Sequence, residues 1–481
     1  MKTTWFIAIT AAFVHTICGL SLPTTKENNE PKVLGLETKR RVPRRNPVHR
    51  DKLRKRGTFE VGLDNEETLY FINGTIGTPP HAVRLHLDTG SSDLWVNTPA
   101  SQLCTSGNSP CAYAGTYAAN TSSTYQYIAS NFNISYVDGS GASGDYVSDT
   151  VTIGSQKIDR LQFGVGYSST NAQGILGIGY PLNEVQVNRA RLKPYDNLPA
   201  QLVAEGVIRS KAYSLWLNDL DANTGNILFG GVDTEKFTPP LRSLPVESAS
   251  GVHAEFMLTL TSLHLNDRAL GPSPNLAIAV LLDTGSSLTY LPDPLVADLY
   301  AAVGAVFNTD ANAAYVPCSL ARNTTAQLGF TFSEPTIWIG MDELVLDLVT
   351  SSGRRPTFSD GTPACLFGIG PAGSAGSGNT FVLGDTFLRS AYVVYDLDNN
   401  QIALAPTRFN STTSNIMEIG TGVGAVPGAT KVQNPVRATE GLRGLNAASA
   451  AATTGRAGGA RGALAVAVGL ASVVAVLGGI L

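Results

Sequence analysis

Between residues 57 and 406, apolar residues come in short runs or strict alternation, cut by Gly, Asn, Asp and Pro. TLYFINGTIG, AVRLHLDTG, YVSDTVTIG and AYVVYDLDNNQIALA carry the period of two that sends alternate side chains to opposite faces of a sheet. Helical spacing is confined to NLPAQLVAEG (197–206) and DPLVADLYAAVGA (293–305), so the pattern predicts an all-β body. Within that body LDTGSS, at 87–92, returns at 282–287. Each copy follows an apolar run (VRLHL, IAVLL) and precedes another, and an identity of that length implies a duplicated unit. The body therefore reads as two related lobes, 57–240 and 241–406. The crossing falls within 225–246, which holds a Pro-Pro pair, and Asp88 and Asp283 sit on equivalent strand-to-turn corners.

The ends of the chain follow other patterns. Residues 1–21 hold Lys2, the apolar stretch WFIAITAAFVHTICG and then small residues, the layout of a secretory signal peptide. Residues 22–56 carry twelve Lys or Arg against four acids, leaving 21 basic and 34 acidic residues from 57 onward. A basic leader thus precedes an acidic body. In a secreted chain this reads as a propeptide removed after Arg56 by a kexin-like processing protease, in preference to a nucleic-acid arm. Residues 407–446 are rich in Ser, Thr, Gly and Ala without periodicity and read as a flexible stalk. The uncharged run 462–481 could span a bilayer, but small residues and a polar spacer precede it, and no basic cluster follows. That is the layout of a GPI-anchor signal, removed as 447–481, with attachment at Asn446 or, as runner-up, Ser449.

Cys18 leaves with the signal peptide. Cys104, Cys111, Cys318 and Cys365 then allow three pairings, of which one, with two local bridges, keeps each bridge inside one lobe if the chain is bilobal. Their spacing fits no zinc motif, and neither metal nor cofactor is expected. Five N-x-S/T sequons, at Asn73, Asn120, Asn133, Asn323 and Asn410, suit the secretory route. The histidines (His15, His49, His81, His86, His253, His264) adjoin no nucleophile and read as ordinary strand or loop residues. No phosphate-binding loop is present.

If the two corners meet across the lobe interface, Asp88 and Asp283 stand too close for both to ionise, and one keeps a proton. The pair then offers an acid and a base that share one water. Gly90 and Gly285 permit the tight turns. Thr89 and Thr284 can offer hydroxyls to backbone across the interface, and Ser91 and Ser286 can bond the outer carboxylate oxygens.

The chain resembles the pepsin-type (family A1) aspartic endopeptidases over roughly residues 66–406, and within them the fungal, GPI-anchored yapsin subgroup. Besides the two corners, the resemblance rests on Trp95 in D-T-G-S-S-x-L-W, on QGILGIGYP (173–181) and FVLGDTFLRSAYVVYDLDNNQIALA (381–405), and on ISYVDGSGASG (134–144), which is similar to the flap hairpin. It implies a bilobal acid-protease fold with the active site in the cleft, Tyr136 as the flap tyrosine bonded to Trp95, and disulfides Cys104–Cys111 and Cys318–Cys365. It also implies protein and peptide substrates, cleavage beside Lys or Arg favoured by Asp138, and a monomer. The segment between Cys104 and Cys111 lacks the long processed insertion of some yapsins, so cleavage into two linked subunits is not expected. The competing class is an inactive wall-binding or adhesive module. Such a relative usually loses a corner Asp or Gly or the flap Tyr, and Asp88, Asp283, Gly90, Gly285 and Tyr136 are all present.

Overall fold

The computed structural model describes residues 34–37, 60–65, 69–107, 109–137, 139–222, 225–271, 276–348, 355–373 and 380–442. The signal segment, Arg56, Asp138 and the tail containing Asn446 and Ser449 lie outside the described residues. Strands dominate. The two helices expected from sequence occupy Leu198–Ala204 and Asp293–Val303. The second ends at Gly304, whose φ of 72° closes the helix in the left-handed region. Among the described residues no helix is long and apolar enough to cross a membrane.

The repeated hexapeptide marks a repeated topology. In the first lobe, strand His81–Asp88 runs parallel to Gly174–Gly177, and Leu94–Asn97 runs antiparallel along that strand's other side. In the second, Ile278–Leu282 runs parallel to Phe381–Leu383, with Thr289–Leu291 antiparallel beyond it. Each chain leaves one strand, turns the Asp corner and returns across a third strand that slides between its two arms. Glycine makes the crossing possible. A Cβ on Gly177 would stand 2.6 Å from the backbone nitrogens of Ser92 and Asp93, and one on Gly384 would run into the Ser286 and Leu288 carbonyls.

Alternation along His81–Asp88 sends Val83, Leu85 and Leu87 into the main core. Arg84, His86 and Asp88 take the opposite face. The lobes join where Ala212–Trp216 pairs antiparallel with Ala391–Asp396. Gly225–Phe229 flanks this junction on one side, and Gln401–Pro406 with Leu241–Pro245 on the other. Leu34–Glu37, from the basic leader, adds to the same sheet antiparallel to Gly225–Phe229 and parallel to Glu60–Asn65. The disulfides are Cys104–Cys111 and Cys318–Cys365, one within each lobe.

The expected stalk requires correction. Residues 407–442 do not leave the body at Pro406 but strap back across it. Ile416–Glu418 pairs with Gly231–Asp233, and Ala429–Lys431 extends the junction sheet beside Leu241–Pro245. Ile419 and Val426 join Trp216, Val232, Tyr392 and Val394 in a second core that covers the outer face of that sheet. Farther on, Thr439 N donates to Ala277 O and Ala279 N to Glu440 O, both at 2.8 Å, edging the strand that leads to Asp283. Composition hid this because the strap docks by backbone pairing and a few isolated apolar residues, which leave no period.

Candidate active site

The two corners meet with near-twofold symmetry at the lobe interface. Thr89 N donates to Thr284 Oγ1 at 3.1 Å, and Thr284 N to Thr89 Oγ1 at 3.0 Å. Each hydroxyl then donates onward across the interface, Thr89 to Leu282 O and Thr284 to Leu87 O, both at 2.9 Å. Four buried hydrogen bonds therefore close on two side chains, and every polar atom in the knot has a partner in the opposite lobe.

Asp88 Oδ1 accepts from Gly90 N at 2.8 Å and Ser91 N at 3.2 Å, while Ser91 Oγ donates to Oδ2. Asp283 Oδ1 accepts from Gly285 N at 2.7 Å, and its Oδ2 from Ser286 Oγ at 2.8 Å. Asp88 is 5% and Asp283 9% exposed. Burial pushes both carboxyls up from the ordinary range, and the charge of Asp88 raises Asp283 further. Asp88 has the extra donor, so the first negative charge rests more easily there and the remaining proton on Asp283. The pair titrates as one unit.

Over the dyad stands the hairpin of Gln126–Ser135 and Gly141–Ile153, with Ser135 opposite Gly141. Its turn is tied by Tyr136 N to Ser140 O at 2.8 Å and Gly139 N to Tyr136 O at 3.1 Å. Trp95, fully buried, donates its indole N–H to Tyr136 Oη at 2.8 Å. Burial, and next the nearby Asp88, hold the Tyr136 phenol well above its usual range, so it stays a neutral donor.

Three residues near the site escaped sequence reasoning. Asp93 accepts from Tyr146 Oη at 2.6 Å, Tyr195 Oη at 3.0 Å and Val185 N at 2.8 Å, forming a buried polar post under the flap. Asn183 Nδ2 donates to Gly90 O at 3.2 Å. His86, whose sequence context is that of an ordinary strand histidine, reaches Thr284 O in the opposite lobe at 3.2 Å. Its place two residues before Asp88, on the same strand face, was the available signal. The five sequon asparagines are all exposed. Cys318 and Cys365 gather with Asp347, but their sulfurs are joined to each other and are not thiolate ligands.

A family model described as eukaryotic aspartyl protease matches residues 69–407. The chain belongs to that family. This aspartyl protease is 51% identical over 442 residues to the probable aspartic-type endopeptidase opsB of Aspergillus oryzae (strain ATCC 42149 / RIB 40), covering 91% of this chain and 88% of that protein. It is 33% identical to secreted aspartic protease 8 of Candida albicans (strain SC5314 / ATCC MYA-2876), covering 85% and 96% of the two chains. Its fold matches the crystal structure of an aspartic proteinase from Irpex lacteus with a TM-score of 0.58 at 24% identity, over 74% of this chain and 99% of that one. It is an enzyme, an aspartic-type endopeptidase, built on the bilobal, mostly β pepsin-like plan.

Proposed function

We propose that Asp88 and Asp283 hydrolyse peptide bonds by activating one water between them. The carboxylate takes a proton from the water as its oxygen bonds to the peptide carbonyl carbon, while the protonated carboxyl gives its proton to the carbonyl oxygen. The resulting gem-diol loses a hydroxyl proton to one carboxylate. The amide nitrogen accepts a proton as the C–N bond breaks, which restores one proton on the dyad. The flap tyrosine lies over this site, and its closure excludes bulk water. The observation that carries the reading is the mutual clasp of the two corners, which faces two buried carboxyls with matched donors.

The test is hydrolysis of a peptide library, at several pH values, by protein lacking residues 1–56. Asp88→Asn and Asp283→Asn should each lose about a thousandfold or more in turnover while remaining folded. Substantial turnover by either folded variant would overturn the assignment. An inactive wall-binding module would show no acid-dependent cleavage in the wild type.

The wider reading places this enzyme on the yapsin-like side of its family, as a monomer acting on proteins and peptides at acidic pH. Residues 1–21 direct it to the secretory route, and residues 22–56 restrain it until a kexin-like protease cuts after Arg56. A GPI anchor at Asn446, or Ser449, holds it at the plasma membrane or wall, and the exposed sequons carry glycans. Asp138, two residues after Tyr136 in the sequence, favours Lys or Arg before the cleaved bond through a charge-assisted hydrogen bond worth about 1.5–3 kcal/mol. The same library, by its preference for Lys over Leu at that position, tests this.

A further inference from the structure

The twofold relation between the corners is broken at one position. Two residues before Asp88 the first lobe has His86, and two residues before Asp283 the second has Leu281. His86 is 5% exposed, and its Nε2 lies 3.2 Å from Thr284 O. A carbonyl oxygen only accepts, so that nitrogen carries the imidazole proton. The same peptide unit that accepts from His86 at its C=O presents its N–H, that of Gly285, to Asp283 Oδ1 at 2.7 Å. The atoms form a continuous chain: His86 Nε2–H to Thr284 O, through one amide, and Gly285 N–H to Asp283. Hydrogen bonds linked through an amide polarise one another, so the first strengthens the second and also fixes the peptide plane.

We infer that His86 is a positioning residue whose ring N–H acts through the Thr284–Gly285 peptide to orient Asp283 and to strengthen the hydrogen bond that Asp283 accepts from Gly285 N. The inference rests on the catalytic reading of the dyad. It makes the two carboxyls inequivalent in a way the sequence repeat alone does not.

The ring is itself held in place. Phe71 faces it in the neighbouring strand with centroids 5.7 Å apart, and the Arg84 guanidinium lies 4.4 Å from the centroid of the Phe71 ring. The charged group acting on His86 is Asp283 across the interface, and Asp88 and Arg84 share its strand face. Burial lowers the imidazole to about 4, against the opposing pull of Asp283. The ring is therefore neutral above about pH 4.

The test compares His86→Leu, which fills the space without a donor, and His86→Gln, which restores an N–H donor that does not titrate. Both are made in the full chain and in the chain starting at Gly57, with Asp283→Asn alongside. His86→Leu should lose about fivefold to tenfold in kcat with KM within about twofold, the effect of one hydrogen bond. The alkaline limb of its pH profile should move up by about half a unit, because Asp283 holds its proton longer. His86→Gln should recover most of both. If His86→Leu matches the wild type in kcat and profile, or if Leu and Gln variants fall equally, the inference is overturned. An active Asp283→Asn enzyme would instead overturn the dyad reading beneath it.

Discussion

A Cβ on Gly90 would stand 2.6 Å from Asp283 Oδ1, and one on Gly285 would stand 2.6 Å from Asp88 Oδ1. Each corner glycine therefore sets how close the opposite carboxyl can come. The tight turn expected at each corner does not itself demand glycine, since neither takes the positive φ that glycine favours. What makes glycine necessary is the neighbour in the other lobe, which no local pattern reveals. Gly285→Ala should keep the fold and lose about a hundredfold in kcat/KM, the cost of displacing a reacting group by about 1 Å. Steady-state kinetics beside a thermal melt checks this, and near-normal activity would mean the carboxyls have slack to separate.

The strap is a structural part of the body and not a spacer. Ile419 and Val432 are fully buried and Val426 is 6% exposed. Burying three such side chains contributes on the order of 5 kcal/mol, an upper estimate. Chain ending at residue 442 should melt with longer forms and keep their activity. Chain ending at Pro406 should melt about 10 °C lower or fail to fold, because the outer face of the junction sheet is then bare. Equal melting temperatures for the two truncations would return 407–442 to a mere spacer. With the strap docked through Thr439 and Glu440, a tether would leave the body beyond the edge of the strand that leads to Asp283, and not from Pro406.

At the scale of the whole molecule, pH acts on stability as well as on the dyad. Glu184 is fully buried, with Oε2 accepting from Tyr195 N at 2.8 Å. Burial raises its carboxyl to about 9, with Asp93 adding to the shift, and burial raises Asp93 too. An acid whose folded pKa is raised leaves stability intact below its unfolded value of 4.5. Stability then falls as pH climbs toward 9, since ionising the buried group favours the unfolded chain. Glu184→Gln should therefore raise the melting temperature by several degrees at pH 7.5 and leave it nearly unchanged at pH 4. A shift of the same size at both would point to packing and not to charge.

The sequence by itself determined the strand-rich body, the two lobes and the Asp corners, because each is written in local terms: period two, Gly and Pro punctuation, and a repeated hexapeptide. It also carried the pairing of Trp95 with Tyr136, through resemblance to a flap. Tertiary structure alone decided what depends on residues far apart in the chain. The Thr89–Thr284 clasp joins positions 195 apart, and His86 meets Thr284 over a separation of 198. The strap docks by edge pairing that composition does not encode, and the glycine requirement comes from the facing carboxyl. Local chemistry sets which elements form. Only their packing sets which polar groups face each other out of water, where a hydrogen bond or a buried charge has its full effect.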